Sequence, residues 1–260
     1  MGYSRLVQAV LDIELPKGET RSDWLQRPLS ETQVSYAAED AVHLAEVYVR
    51  LRPQLSDDKY AWVLEDGAEL VANLRREVDP YEVYRDAKLA WKLSRAQLAV
   101  LRELCAWREQ QARARDLPRN RIIREHSLWP LAKSQPDNLA ALGKIEDMHP
   151  RTVRQDGQFL LDLIKRAGSV SMDQWPPAVA EPLPVDAAVL IKQLRALGQA
   201  EAERLEMAPE LMLRKKTLEA LVKSGYPDGP YTLPDSLRGW RRELMGQALL
   251  DSLATAGEQP

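Results

Sequence analysis

The chain has 260 residues and a formal net charge of −3, with 45% hydrophobic and 29% charged residues. This length suits two or three domains, and the composition is typical of a helical protein in aqueous solution. The one cysteine, Cys105, excludes an intramolecular disulfide and fits a reducing compartment. No apolar run approaches the roughly 18 residues of a membrane span. No signal peptide is visible at Met1, so we expect a cytoplasmic protein without a membrane partner.

The charge is unevenly distributed along the chain. Residues 1–84 carry a net charge of −7, residues 85–170 carry +7, and residues 171–260 carry −3. A basic segment between acidic neighbours indicates a surface for a polyanion, and nucleic acid is the first candidate. Solvated helix faces with charge dispersed for solubility are the alternative.

Helical periodicity recurs in nearly every segment, and period-two strand patterns are almost missing, so the sequence predicts an all-α fold. Helices are expected at residues 3–12, 30–55, 57–76, 94–114, 119–125, 127–133, 137–142, 150–167, 184–205, 208–213, 216–223 and 235–254. The segment around Asp79-Pro80 separates the first block from the second, and a proline-rich stretch precedes the third. The second and third blocks share an order of helices that suggests duplication, although two helical bundles can be alike by chance.

The start of the second predicted helix carries the most specific local pattern. Ser30 followed by Gln33 predicts a capping box, in which each side chain bonds the other residue's backbone amide. Tyr36 and Asp40 are four residues apart and therefore project from one face of that helix. A phenol beside a carboxylate suits metal binding and the orientation of a water molecule. The alternative is a half-buried tyrosine and a solvated aspartate, because a bare Tyr-x-x-x-Asp is a weak pattern.

Four segments together, in this order, resemble the ribonuclease D family. Residues 15–30 are similar to the connector before the family's third exonuclease motif, and Tyr36-Ala37-Ala38-Glu39-Asp40 resembles that motif. Residues 98–164 resemble an HRDC domain, and residues 207–216 with 239–241 resemble a second, more divergent one. The resemblance implies a C-terminal helical remnant of an α/β exonuclease domain followed by two HRDC-like bundles. The implied boundaries are 1–78, 85–170 and 185–256, with a linker at 171–184.

The resemblance also implies a function. The family is a metal-dependent 3′–5′ exoribonuclease (DEDD type) that processes tRNA 3′ ends by two-metal phosphodiester hydrolysis. Magnesium or manganese is the expected cofactor, with no small-molecule cofactor. By the resemblance, Asp40 is a metal ligand and Tyr36 positions the attacking water. The family's first two motifs have no counterpart in the chain. We therefore expect a truncated chain that is inactive alone and does not bind the metal tightly.

RNA, with tRNA precursors as the substrate class, is the partner that the resemblance implies. The side chains expected to contact it are basic or aromatic and lie in the connector and the basic block: Lys17, Arg21, Trp24, Arg119, Arg121, Arg124, Lys133, Lys144, Arg151 and Arg154. Two other functions stay open, namely a non-catalytic HRDC module that binds nucleic acid and a helical protein-interaction scaffold.

Overall fold

The computed structural model describes residues 2–15, 18–75 and 77–256. Within these ranges the chain forms α-helices and short 3₁₀ turns but no strands, which confirms the all-α prediction. None of the helices in the described part is long and apolar enough to cross a membrane. The helices are α1 (Tyr3–Leu11), α2 (Glu31–Leu51), α3 (Asp57–Arg75), α4 (Arg95–Ala114), α5 (Arg119–Ile122), α6 (Glu125–Ser134), α7 (Leu139–Gly143), α8 (Pro150–Gly168), α9 (Ala188–Arg204), α10 (Pro209–Met212), α11 (Lys215–Lys223) and α12 (Gly239–Ala256).

Most helix ends lie within a few residues of their predicted positions. The exceptions have local causes. The helix predicted to reach residue 55 ends at Leu51 and continues as a 3₁₀ turn, Arg52–Gln54, because Pro53 cannot donate a backbone hydrogen bond. Three other 3₁₀ turns, at Val83–Asp86, Ala90–Lys92 and Met172–Gln174, were not predicted, since a single turn is too short to show periodicity. Residue 76, the predicted end of another helix, lies outside the described residues.

The chain divides into two compact units, residues 1–75 and 76–260. In the first unit α1 packs on α2. Val7 from α1 and Val47 from α2 are buried. The hydroxyl of Tyr3 donates a hydrogen bond to the backbone carbonyl of Asp40 at 2.7 Å. This bond and the apolar contact fix α1 beside the part of α2 that carries the predicted motif.

The second unit begins with a bundle around α4, whose neighbours are α5, α6 and α8. Ser94 and Gln97 form a capping box at the start of α4. Fully buried leucines from α4, α6 and α8, among them Leu101, Leu128 and Leu160, make the core. Fully burying one such side chain stabilises the fold by about 1.5–3 kcal/mol. The apolar face of α4 therefore organises the bundle.

Two charged residues of α4 are buried as well. Arg108 and Glu109 are each 3% exposed. The Arg108 guanidinium bonds Glu125 of α6 at 2.6 Å, and the carboxylate of Glu109 forms an ion pair with Arg119 of α5 at 2.5 Å. Buried charges are tolerated when they are paired in this way. The two pairs therefore join the short helices α5 and α6 to α4.

The turn after α4 is repeated after α9. Asp116 and Glu206 both have a positive φ, at 48° and 52°. The next residue in each case donates a backbone hydrogen bond into the preceding helix, from Leu117 to the carbonyl of Ala112 at 2.9 Å and from Met207 to that of Ala202 at 2.8 Å. A four-residue helix and then a longer one follow both turns. The recurrence of the same backbone path strengthens the duplication hypothesis beyond a shared order of helices.

Helices α10, α11 and α12 pack on α9 and form a second bundle. The proline-rich segment between the two bundles is held at both ends. Arg95 of α4 donates hydrogen bonds to the carbonyls of Trp175 and Pro176, at 3.1 and 3.0 Å. Lys223 of α11 donates to the carbonyl of Glu181 at 2.7 Å. The backbone in this region lacks helical hydrogen bonds, so these side chains satisfy carbonyls that would otherwise face only water. The segment is thereby fixed to both bundles.

The buried thiol of Cys105 should be inert in the native chain. Burial raises its pKa to about 12, against about 8.5 for a free cysteine. Because the pKa is higher in the native state, the free energy of unfolding falls as the pH rises from about 8.5 to about 12. Below that interval the thiol is protonated in both states, and its ionisation does not change the stability. At about pH 8 we expect no reaction of the native chain with a disulfide reagent over minutes. In concentrated guanidinium chloride, complete labelling is expected; fast labelling of native chain would contradict the burial.

Candidate active site

The site predicted at the start of α2 depends first on its cap. Ser30 accepts a hydrogen bond from the backbone amide of Gln33 at 3.2 Å, and the Gln33 side chain accepts one from the Ser30 amide at 2.9 Å. The predicted capping box is therefore confirmed. It fixes the first turn of α2 and hence the direction in which the side chains of the next two turns project.

Gln33 has a second role that sequence reasoning missed. Its side chain is buried, and its amide nitrogen donates to the hydroxyl of Ser22 at 3.2 Å and to the carbonyl of Asp23 at 3.0 Å. One side chain thus caps the helix and holds the connector that precedes it. The capping-box pattern reveals the first function only, because nothing in the local sequence shows where the free amide hydrogens point.

The connector places an aromatic ring against the predicted motif. The indole of Trp24 donates to the carbonyl of Glu19 at 3.1 Å, and its ring centroid lies 5.8 Å from that of Tyr36 at an angle of 51°. Tilted aromatic pairs at this distance contribute about 0.5–1.5 kcal/mol beyond area burial. Trp24, predicted to contact nucleic acid, therefore packs on Tyr36 and restricts that ring.

Tyr36 and Asp40 lie on the same face of α2, one turn apart, and both are half-buried. Tyr3 approaches the same turn through its bond to the Asp40 carbonyl. Burial raises the pKa of Tyr3, and the nearby groups Asp40 and Tyr36 raise it further. The structure therefore brings two phenols and one carboxylate together, and no sequence pattern indicated Tyr3.

A two-metal centre needs more ligands than this. Within the described residues, no group of three or more histidine, cysteine, aspartate or glutamate side chains is placed to hold a metal ion. Asp40 supplies one carboxylate, whereas a pair of hard divalent cations requires several oxygen ligands and a bridging one. The described residues do not fit a two-metal site by themselves, and no metal-dependent step follows from them.

The basic residues of the connector, of which Lys17 and Arg21 are predicted to contact nucleic acid, differ in their surroundings. Arg21 is exposed. Arg27, next to the cap, donates to the carbonyls of Trp24 and Gln26 at 2.9 and 2.8 Å and so stiffens the connector. Lys17 lies outside the described residues.

In the bundle around α4, which is the basic bundle of the chain, several residues predicted to contact nucleic acid already have partners within the chain. Arg119 pairs with the buried Glu109, and Arg124 pairs with Asp147 at 2.8 Å. Arg151 donates to Gln155 at 3.2 Å. Lys133 lies over the Trp129 ring, 4.6 Å from its centroid. These side chains stabilise the bundle, so any contact with a ligand must compete with an internal one.

Three predicted cations are less constrained. Arg121, Lys144 and Arg154 are exposed. Across the residues that the structure describes, none of the three has a carboxylate within ion-pair distance. They are the members of the predicted set best able to meet a phosphate without breaking an internal pair.

Comparison with known proteins identifies two domain families in the chain. Residues 1–56, which include the Tyr36–Asp40 turn, match the 3′-5′ exonuclease family, and residues 97–164 match the HRDC domain family. Ribonuclease D of Pseudomonas paraeruginosa is 66% identical over 256 residues, which cover 98% of this chain and 68% of that protein. The chain belongs to the ribonuclease D family. Its length thus spans about two thirds of this curated relative.

Two further comparisons agree with this assignment. Ribonuclease D of Escherichia coli K12 is 31% identical over 95% of the chain and 67% of its own length. The crystal structure of Escherichia coli RNase D, described as an exoribonuclease involved in structured RNA processing, superposes with a TM-score of 0.80 at 29% identity, over 98% of this chain and 68% of that one. These comparisons do not support the expectation that the chain is truncated and inactive.

Replacing Gln33 by alanine should release the connector. The change removes the side-chain half of the capping box and two further hydrogen bonds, which together stabilise the local structure by about 2–3 kcal/mol. We expect trypsin to cut after Arg21 at least about 10-fold faster, as followed by mass spectrometry. Gln26→Ala, an exposed position in the same connector, is the control and should leave the rate unchanged. Equal cutting of both variants would show that Gln33 does not hold the connector.

Proposed function

We propose that this chain acts on RNA as a 3′–5′ exoribonuclease that hydrolyses phosphodiester bonds from the 3′ end. The match of residues 1–56 to the 3′-5′ exonuclease family carries the proposal, because those residues include the turn that joins Tyr36 and Asp40. Membership of the ribonuclease D family supports it. Structured RNA with a 3′ extension, and tRNA precursors in particular, is the substrate class that we infer.

Within this function Asp40 and Tyr36 have separate roles. Asp40 is proposed as one oxygen ligand of a divalent metal, magnesium or manganese, whose chemistry would be to activate water and stabilise the leaving 3′ oxygen. Tyr36 is proposed to donate a hydrogen bond that positions the attacking water. Trp24 restricts the Tyr36 ring, and Gln33 holds the connector that carries Trp24. The latter two are positioning residues.

The proposal also assigns the domain boundaries. We assign residues 1–78 to the exonuclease part and 85–170 to the HRDC domain, which encloses the matched residues 97–164. Residues 171–184 form the connecting segment, and 185–256 form a second HRDC-like domain. The repeated turn at Asp116 and Glu206 supports this last assignment. The single cysteine and the family suggest a cytoplasmic location.

Exchange of this chain into a relative tests the catalytic roles. The aligned segment of the Pseudomonas paraeruginosa enzyme would be replaced by that of this chain, and shortening of a 5′-labelled RNA with an unpaired 3′ tail would be followed on gels with added magnesium. We expect trimming one nucleotide at a time. Asp40→Asn should reduce its rate by about 100-fold or more, and Tyr36→Phe by about 10-fold.

Glu39→Gln is the matched control, since Glu39 is the adjacent carboxylate and accepts a hydrogen bond from Ser35 at 3.1 Å. Its rate should stay near that of the parent. Trimming that is unchanged by Asp40→Asn would remove Asp40 from the site. The same assay applied to the chain alone distinguishes an active nuclease from a module that only binds RNA.

Charge reversal on the basic bundle separates a nucleic-acid binder from a protein scaffold. The double variant Arg121→Glu/Arg154→Glu should weaken RNA binding at least about 10-fold and lower its salt dependence, because phosphate contacts release counterions. Binding would be measured by fluorescence anisotropy at several salt concentrations. Lys88→Glu/Lys165→Glu makes the same charge change at exposed positions of the same unit. Equal losses in both variants would mean that diffuse charge, rather than these contacts, attracts the RNA.

A further inference from the structure

The third block, residues 171–260, has a net charge of −3 but contributes most of a basic groove. The groove has a volume of about 690 Å³ and lies between α9, α11 and the end of the proline-rich segment. Five basic side chains line it, namely Lys192, Arg195, Lys215, Lys216 and Lys223, against two acidic ones, Asp86 and Glu219. The sequence marks Arg214-Lys215-Lys216 as a weaker candidate for RNA contact, but the net charge of the block hides the concentration, because the basic residues of two helices meet only in the fold.

Two of the five cations form bonds within the chain. Lys215 pairs with Glu219 at 3.3 Å along α11. Lys223 donates to the carbonyls of Ala180 and Glu181, at 3.3 and 2.7 Å, and so fixes the wall formed by the proline-rich segment. These bonds are internal, so both cations already have partners within the chain.

The other three cations are available. Lys192, Arg195 and Lys216 are exposed. In the described part of the chain, no carboxylate lies within ion-pair distance of any of them. Lys192 and Arg195 lie on one face of α9, three residues apart, while Lys216 approaches from α11. A ligand in the groove would therefore meet positive charge from both sides.

We propose that this groove binds the phosphate backbone of RNA, as a contact separate from the Tyr36–Asp40 turn and from the basic bundle around α4. The proposal rests on RNA being the substrate of the proposed exoribonuclease. None of the residues lining the groove is aromatic, so the groove offers no ring on which a base can stack. Three free cations and an apolar wall of proline, leucine and valine suit contact with phosphate and ribose, independent of sequence. The groove would hold the body of the RNA.

Binding of RNA without hydrolysis tests the groove. A fluorescein-labelled oligouridine would be titrated with the full chain in EDTA, at several salt concentrations, and followed by anisotropy. Replacing Lys192 and Lys216 by alanine should weaken binding by about 5- to 10-fold. The negative slope of log affinity against log salt should become shallower by about 1.4, since each phosphate contact on single-stranded nucleic acid contributes about −0.7.

The matched control is Arg214→Ala/Arg242→Ala, which removes the same charge from exposed positions of the third block that do not line the groove. Its affinity and slope should stay close to the parent values. Lys192→Arg/Lys216→Arg should restore binding, because arginine also contacts phosphate. Thermal unfolding by circular dichroism confirms that each variant is folded.

Two results would overturn the proposal. The first is a groove variant whose affinity and salt slope equal those of the control. The second is competition in which polyglutamate displaces the RNA from the groove at equal charge concentration and binds more tightly, which would assign the groove to an acidic protein segment. Failure of the nuclease proposal is separable, since it appears as loss of Asp40-dependent trimming while RNA binding in EDTA persists.

Discussion

One buried amide, that of Gln33, determines how the candidate active site is built. Its carbonyl oxygen and backbone amide complete the cap of α2, and its two amide hydrogens bond Ser22 and Asp23 in the connector. A buried amide left without partners would cost more than any one of these bonds contributes. The connector is therefore held in the position that places Trp24 on Tyr36. The direction of the Tyr36 ring, and with it the geometry beside Asp40, depends on this one side chain.

The basic bundle shows how packing divides residues of one type into two groups. Burial of Glu109 on α4 requires a positive partner, and Arg119 supplies it from the start of α5. Arg121, two residues later, is exposed, and among the described residues no carboxylate lies within ion-pair distance of it. Residues that look equivalent by charge thus differ in what they can offer a ligand. Charge reversal at Arg119 would disturb the fold as well as any surface, which makes Arg121 the more informative position.

The proposed contacts with RNA come from separate parts of the chain. The Tyr36–Asp40 turn is proposed to act at the 3′ end, the free cations of the bundle around α4 to meet phosphates, and the groove between α9 and α11 to hold a further stretch of backbone. The proline-rich segment is bonded to α4 through Arg95 and to α11 through Lys223. An enzyme that processes structured RNA benefits from several weak contacts, because phosphate contacts add affinity without restricting sequence.

The sequence by itself determined the helices, the cap at Ser30, the Tyr36–Asp40 spacing and the family resemblance. The first three depend on contacts within a few residues, and the resemblance depends on the order of such segments, so sequence pattern is enough to reveal them. Tertiary structure alone decided the second role of Gln33, the approach of Tyr3, the pairing of Arg119 with Glu109 and the groove between α9 and α11. Each of these joins residues that are distant in the sequence, so it exists only in the folded chain. For Gln33 and Glu109, burial of an amide or a charge requires the pairing, and burial is itself a property of the fold.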